Sequence, residues 1–382
     1  MRFTRPRMRA KAHASHRHAT WLELFFDLVF VVAIVQLTHG VKDYLTSAEV
    51  IKAIALFLPI WWIWAGHTVY ATRFDTDNVL YRILTFTQMF AVVVMAVSLH
   101  DFGAERSLDY GAAYVVARAT LLFLLWRAHV HVPEVRSATR LYLTGFGVGA
   151  SLWAISLAVP VPLRYALWVA GFSIDFFTPW LGWWRKWLAE IPVDATHIPE
   201  RFGLLNIIVL GEAVAGLVAG VSEVEWTIQL LVTAPLGFLT AVVVWWTYFS
   251  YLEEAVQGIS IGSGQPYMYS HIPFVLGVAG VGIGIEKLIA SVNEPVVSAG
   301  GVWIYCGGAA LWVVSFYAIQ LVSTPRVITR RVSWLYLASV VAFGAVAWLG
   351  VAWSPLVAQA ALAGVFLSLL AARGRLPEPR LV

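Results

Sequence analysis

Apolar residues run along this chain in long blocks, separated by short polar clusters. Each block approaches the roughly 20 apolar residues that a helix needs to cross a bilayer. Twelve helices are predicted, the first six near 20–40, 48–71, 79–99, 109–127, 138–159 and 162–180. The other six lie near 199–220, 226–249, 267–290, 300–322, 332–351 and 355–372. The connections are short, and none suggests a soluble domain. The expected fold class is all-α, a polytopic membrane protein with about twelve transmembrane helices.

Composition agrees. The 382 residues are 60% hydrophobic and 13% charged, against about 45–50% apolar and about 25% charged for a soluble domain. Disorder, a collagen-like repeat, a disulfide scaffold and a soluble Rossmann or barrel enzyme are excluded. The net charge of +4 is too small to argue for nucleic-acid binding. Cys306 stands alone in an apolar run, so no disulfide or cysteine metal site is expected.

Lysine and arginine set the expected direction. With the N-terminus inside, 20 of the 26 fall in inner segments and 5 (Lys42, Lys52, Arg106, Arg164, Lys287) in outer ones, while Arg118 lies within a span. That bias predicts an inner-membrane protein with both termini cytoplasmic. Glu23 and Asp27 interrupt the first apolar block, which reads as a retained helix rather than a signal sequence. Residues 1–19 form a basic cytoplasmic tail suited to anionic headgroups, and 373–382 a second tail.

Between the tails, 20–180 and 199–372 are expected to be two six-helix halves. Aligning Glu23 with Glu200 places Phe25 on Phe202, and a tryptophan pair opens the inner part of both the second and the eighth helix. Six spans per half keep the orientation, so the predicted repeat is parallel. Such repeats commonly frame a translocation path at their interface.

Charges within spans need a partner or a purpose, since each costs about 2.5–3.5 kcal/mol on insertion scales. Thr20 and Glu23 fit a capping box. Asp27 lies one turn deeper on the same face, out of reach of any cap. It is expected either to line a polar path or to pair statically. Arg118 in the fourth span and Asp175 in the sixth are expected to neutralise each other, with Asp27 as a rival partner. Glu212 and Glu286 are the corresponding burials in the second half. Asn206 lies about 9 Å from Glu212 along the axis and some 120° around it, too far apart for one compact site. His271 completes the candidate polar lining. Arg73, Asp75, Asp77 and Arg82 surround the cytoplasmic turn between the second and third helices. They suit either a solvated turn with Asp77 capping the third helix or a latch between two arrangements of the helices.

Two glycine-rich stretches, 145–153 and 277–284, carry the small-xxx-small spacing that lets helices approach closely. No HExxH, Cys/His cluster or P-loop pattern occurs, so no cofactor, metal or enzymatic chemistry is expected.

TWLELFFDLVFVVAI, RFDTDN, ERFGLLNIIVLGEAV and YSHIPFVLGVAGVGIGIE together resemble the bacterial low temperature requirement protein A family, over most of the chain from about residue 20. The resemblance implies a multi-pass inner-membrane protein tied to growth in the cold. Asn206 is more polar than that pattern leads one to expect. FFDLVFVVAI is also similar to the first helix of a potassium-channel family of six-span repeats, although Phe26 replaces its serine and Leu204 the aspartate of its seventh helix.

The leading expectation is a carrier or permease for a small solute or lipid. It is expected to couple to protons through carboxylates among Glu23, Asp27, Arg118, Asp175, Asn206, Glu212, His271 and Glu286. An ion channel is the alternative, as is a non-transporting membrane component with every intramembrane charge paired. The expected partners are membrane lipids and a small solute, with no nucleic acid; the oligomeric state is left open.

Overall fold

The computed structural model describes residues 6–8, 20–43, 45–75, 78–100, 102–184, 197–255, 264–323 and 328–373. It is all-helical apart from one two-residue ladder. The helices are α1 Trp21–Asp43, α2 Ser47–Arg73, α3 Val79–Ser98, α4 Ala104–His131, α5 Arg136–Ser156 and α6 Leu163–Trp184. They continue as α7 His197–Ser222, α8 Ile228–Ala255, α9 Gly264–Ala290, α10 Ala299–Ser323, α11 Arg330–Leu349 and α12 Pro355–Arg373. β1 (Arg7–Met8) pairs antiparallel with β2 (Phe74–Asp75), Arg7 opposite Asp75.

Among the described residues, nine helices are long and apolar enough to cross a membrane: α1–α4 and α7–α11. The others fail for identifiable reasons. The apolar part of α12 is only Pro355–Ala371. α5 and α6 are rich in Trp, Tyr, Gly, Ser and Thr, which hydropathy scales credit poorly although Trp and Tyr suit a membrane interface.

The chain divides into two compact units. One comprises Met1–Gly40, Ile51–Leu204 and Ser260–Gln265; the other Val41–Val50, Leu205–Ile259 and Pro266–Val382. α1 and α7 each begin in the first and end in the second. In the first unit, Tyr70, Tyr81, Leu121, Leu124, Val135 and Phe146 anchor an apolar core drawn from α2, α3, α4, α5 and the turn that precedes α5.

In the second unit, α9 is the most enclosed candidate span, 72% of its apolar window being buried. Its glycines explain the enclosure. A Cβ at Gly277 would stand 2.6 Å from the Trp312 backbone nitrogen, one at Gly280 3.0 Å from the Gly308 Cα, and one at Gly282 3.0 Å from the Ala213 Cα. α9 therefore touches α10 and α7 backbone to backbone, the close approach that small residues permit. In the first unit, Gly149 of α5 meets the Asp175 side chain and the Gly171 carbonyl of α6 in the same way.

The third helix is capped by Asn78, whose side-chain oxygen accepts from the Tyr81 N–H at 2.9 Å. That is one residue later than the cap expected at Asp77, which lies outside the described residues. An Asn or Asp side chain serves equally here, so the boundary alone decides.

Candidate functional site

Among the described residues, most of the candidate charges gather in three clusters. The first lies where α1, α2 and the first turn of α7 meet within the first unit. Glu23 closes a capping box: its Oε2 accepts from the Thr20 N–H at 2.8 Å, and the Glu23 N–H donates to Thr20 Oγ1 at 3.3 Å. Its other oxygen faces His197 Nε2 at 3.5 Å, and His197 Nδ1 lies 3.1 Å from Glu200. One turn deeper, Asp27 is completely buried. Its Oδ1 accepts from Arg201 Nη2 at 2.6 Å and from the Trp64 indole N–H at 2.7 Å. Its Oδ2 takes no hydrogen bond among the described residues.

Aromatic rings pack around this cluster. Phe202 stands edge-on to Trp64 at 4.9 Å, and Phe26 stacks on His67 at 4.2 Å. His67 Nε2 meets the Tyr81 hydroxyl at 3.1 Å, and Gln88 donates to the Ala117 carbonyl at 3.0 Å. A low-polarity shell of this kind strengthens every charge–charge term inside it.

The second cluster belongs to α4, α5 and α6. Arg118 Nη2 lies 3.1 Å from Asp175 Oδ2, and both side chains are buried. The Tyr114 hydroxyl donates to the same Asp175 oxygen at 2.9 Å. The Arg118 guanidinium lies over the Phe146 ring, 4.4 Å from its centroid, a cation–π contact. One cation meets one anion with a neutral donor beside it.

The third cluster lies in the second unit. Lys42 Nζ, at the end of α1, is 2.6 Å from Glu286 Oε2 on α9 and 3.4 Å from Glu212 Oε1 on α7. Gly216 makes room for it, since a Cβ there would stand 2.9 Å from Glu286 Oε2. Two carboxylates on different helices thus share one ammonium.

Asn206 and His271 lie in the second unit. His271 Nδ1 lies 2.8 Å from the Tyr267 carbonyl, so it carries the proton and donates. Nε2 then accepts from the Tyr248 hydroxyl at 3.1 Å. Buried Asn206 lies beside that hydroxyl. This polar chain is uncharged.

Arg73 ends α2 in a buried position, while Arg82 is exposed on the first turn of α3. Asp75 contributes its backbone to β2. Asp77, again, is outside the described residues. Among the described residues, no group of three or more His, Cys, Asp or Glu side chains could hold a metal ion.

The structure places Arg118 beside Asp175, and it places Glu23, Asp27, Glu212 and Glu286 in the other two clusters. Charge pattern missed Arg201 and Lys42. Both stand at helix ends, where a topology count treats basic residues as loop charges. The signal that could have found them is their helical register. Arg201 follows Glu200 into an apolar helix, and Lys42 closes the span that carries Asp27.

The profile of the bacterial low temperature requirement A protein (LtrA) matches residues 18–372. The chain belongs to the LtrA family. Among curated proteins, this LtrA chain is similar to the uncharacterized protein RA0937 of Rhizobium meliloti (strain 1021), 25% identical over 325 residues, 79% of this chain and 78% of that protein. Family, apolar composition and helix lengths together make it a multi-pass membrane protein.

Proposed function

We propose that this LtrA-family protein is a proton-coupled carrier for a small solute or lipid. It crosses the inner membrane twelve times in two six-helix halves related by a parallel repeat, with both termini cytoplasmic. No catalytic reaction is assigned to it. The observation that carries the reading is the sharing of Lys42 between Glu212 and Glu286 at unequal distances. When Glu286 takes a proton from water, its pull on the ammonium disappears and Lys42 shifts toward Glu212. When the proton leaves, the ammonium returns. A small movement thereby links proton occupancy to the spacing of α1, α7 and α9, the two-state element that coupling requires.

The open Oδ2 of Asp27 supports the same reading, because a buried carboxylate oxygen without a donor can accept a proton. α1 carries both Asp27 and Lys42. α7 carries both Arg201 and Glu212. Each helix therefore contributes to both clusters.

The test uses purified protein in liposomes filled with a pH-sensitive dye. A pH gradient is imposed and internal pH followed for wild type, Asp27→Asn and Glu212→Gln. Both variants should slow pH-driven flux at least tenfold. If each left the flux at the wild-type rate, proton coupling would be lost. Single-channel currents across a planar bilayer would favour the ion channel instead.

A non-transporting membrane component is the second reading. It is favoured by the Arg118–Asp175 pair, which is charge-balanced and enclosed by packed glycines and Phe146. It predicts no flux from wild type under any gradient.

A further inference from the structure

An open groove of about 530 Å³ runs between α5 and α6 on the first unit. Leu141, Gly145 and Val148 line it from α5, and Ile174, Phe177 and Leu181 from α6. Val148, Phe177 and Leu181 are each more than half exposed, at 52%, 60% and 53%. Gly145 lets α5 and α6 approach closely at the floor of the groove, since a Cβ there would run into Thr178.

The hydroxyls along the groove are all spent on their own helices. Thr144 donates to the Arg140 carbonyl, Ser173 to the Val169 carbonyl at 2.7 Å, and Thr178 to the Ile174 carbonyl at 2.6 Å. What remains is methyl, methylene and ring surface, which suits hydrocarbon and offers a polar solute nothing to bind. From Leu141 to Val148 the groove is about 10 Å long, the reach of roughly eight methylenes.

Its two ends differ. Arg140 precedes Leu141 and stands one turn below Thr144 on the same face; Arg136 is one turn further, and both are exposed. The cation at the opposite end of α6, Arg164, is buried and committed to the Ala104 carbonyl, the Ser107 hydroxyl and the Val159 carbonyl. The groove is thus apolar along its length and positively charged at one mouth, matching the polarity of an anionic phospholipid.

We propose that this groove binds one anionic phospholipid, an acyl chain lying between α5 and α6 and the headgroup phosphate held by Arg140 and Arg136. Basic residues at the cytoplasmic ends of spans bind such headgroups. The proposal rests on the reading above in which α5 and α6 cross the bilayer.

Native mass spectrometry of protein released from micelles with equal phosphatidylglycerol and phosphatidylethanolamine tests it. Wild type should keep one phosphatidylglycerol after bulk lipid is stripped. Val148→Trp, which fills the groove, should abolish that adduct. Arg140→Gln should reduce the preference for phosphatidylglycerol about fivefold. Equal retention of both lipids by wild type, or an adduct that survives Val148→Trp, overturns the proposal. So does a wild-type dimer that Val148→Trp turns into a monomer, because a second copy then occupies the groove. The spanning reading is checked separately through Thr144→Cys and an impermeant maleimide applied to membranes of either orientation. Labelling would sink that reading, whereas an unlabelled site with no retained lipid would sink only the groove.

Discussion

Arg201 donates to Asp27 at 2.6 Å across 174 residues of sequence, joining the second turn of α7 to the second turn of α1. Neither partner is accessible to water, and the Trp64 indole completes the contact. A buried ion pair of this kind adds little net stability as a pair, but losing one partner leaves an uncompensated charge.

Arg201→Met should therefore destabilise the protein by about 3–5 kcal/mol. Adding Asp27→Asn removes the stranded carboxylate and should recover most of that loss. Unfolding of the purified variants in detergent measures both. An additive double variant, no more stable than the sum of its singles, would show that the two residues do not interact.

Lys42 gives the opposite asymmetry. Lys42→Met strands two carboxylates at once, whereas Glu286→Gln leaves the ammonium with Glu212. The lysine variant should be the less stable by about 2 kcal/mol or more, and Glu286→Gln in the same chain should restore part of the loss. Since Glu286 lies closer to the ammonium than Glu212, Glu286→Gln should cost more than Glu212→Gln. The reverse order would place the ammonium on the wrong glutamate.

These two clusters mark how far the sequence could be read. Twelve helices follow from apolar block length, and the described helix ends differ from the expected ones by a few residues. Arg118 and Asp175 could be matched because each is a lone charge of opposite sign inside an apolar run, and only another such charge can neutralise it. Arg201 and Lys42 could not. A basic residue at a helix end can snorkel to the headgroups or turn inward, and that choice depends on which acids neighbouring helices present. The same limit applies to the glycines. Spacing announces close approach for 145–153 and 277–284, but only packing shows that Gly147 faces open space while Gly149 faces Asp175.

That difference is testable within one turn of α5. Gly149→Ala must displace the Asp175 carboxylate or the Gly171 backbone, an overpacking that costs about 1–3 kcal/mol. Gly147→Ala meets nothing within 4 Å and should gain about 0.5–1 kcal/mol from helix propensity. Melting temperatures of the two variants should move in opposite directions. Equal shifts would mean that α5 and α6 are not packed as described.

Tyr114 separates structural from functional polarity. Its hydroxyl donates to the Asp175 oxygen that also faces Arg118. Tyr114→Phe keeps the ring, which packs 4.1 Å from Trp153, and deletes only the donor. A hydrogen bond to a charged acceptor is worth about 1.5–3 kcal/mol, so the variant should lose stability in that range. The Arg118–Asp175 pair itself remains, with Phe146 still under the guanidinium. If this cluster only braces α4 against α5 and α6, pH-driven flux in liposomes should match wild type once the amount of folded protein is equalised. A flux defect as deep as that of Glu212→Gln would move Asp175 from the scaffold into the coupling machinery. The path would then have to run through α4, α5 and α6.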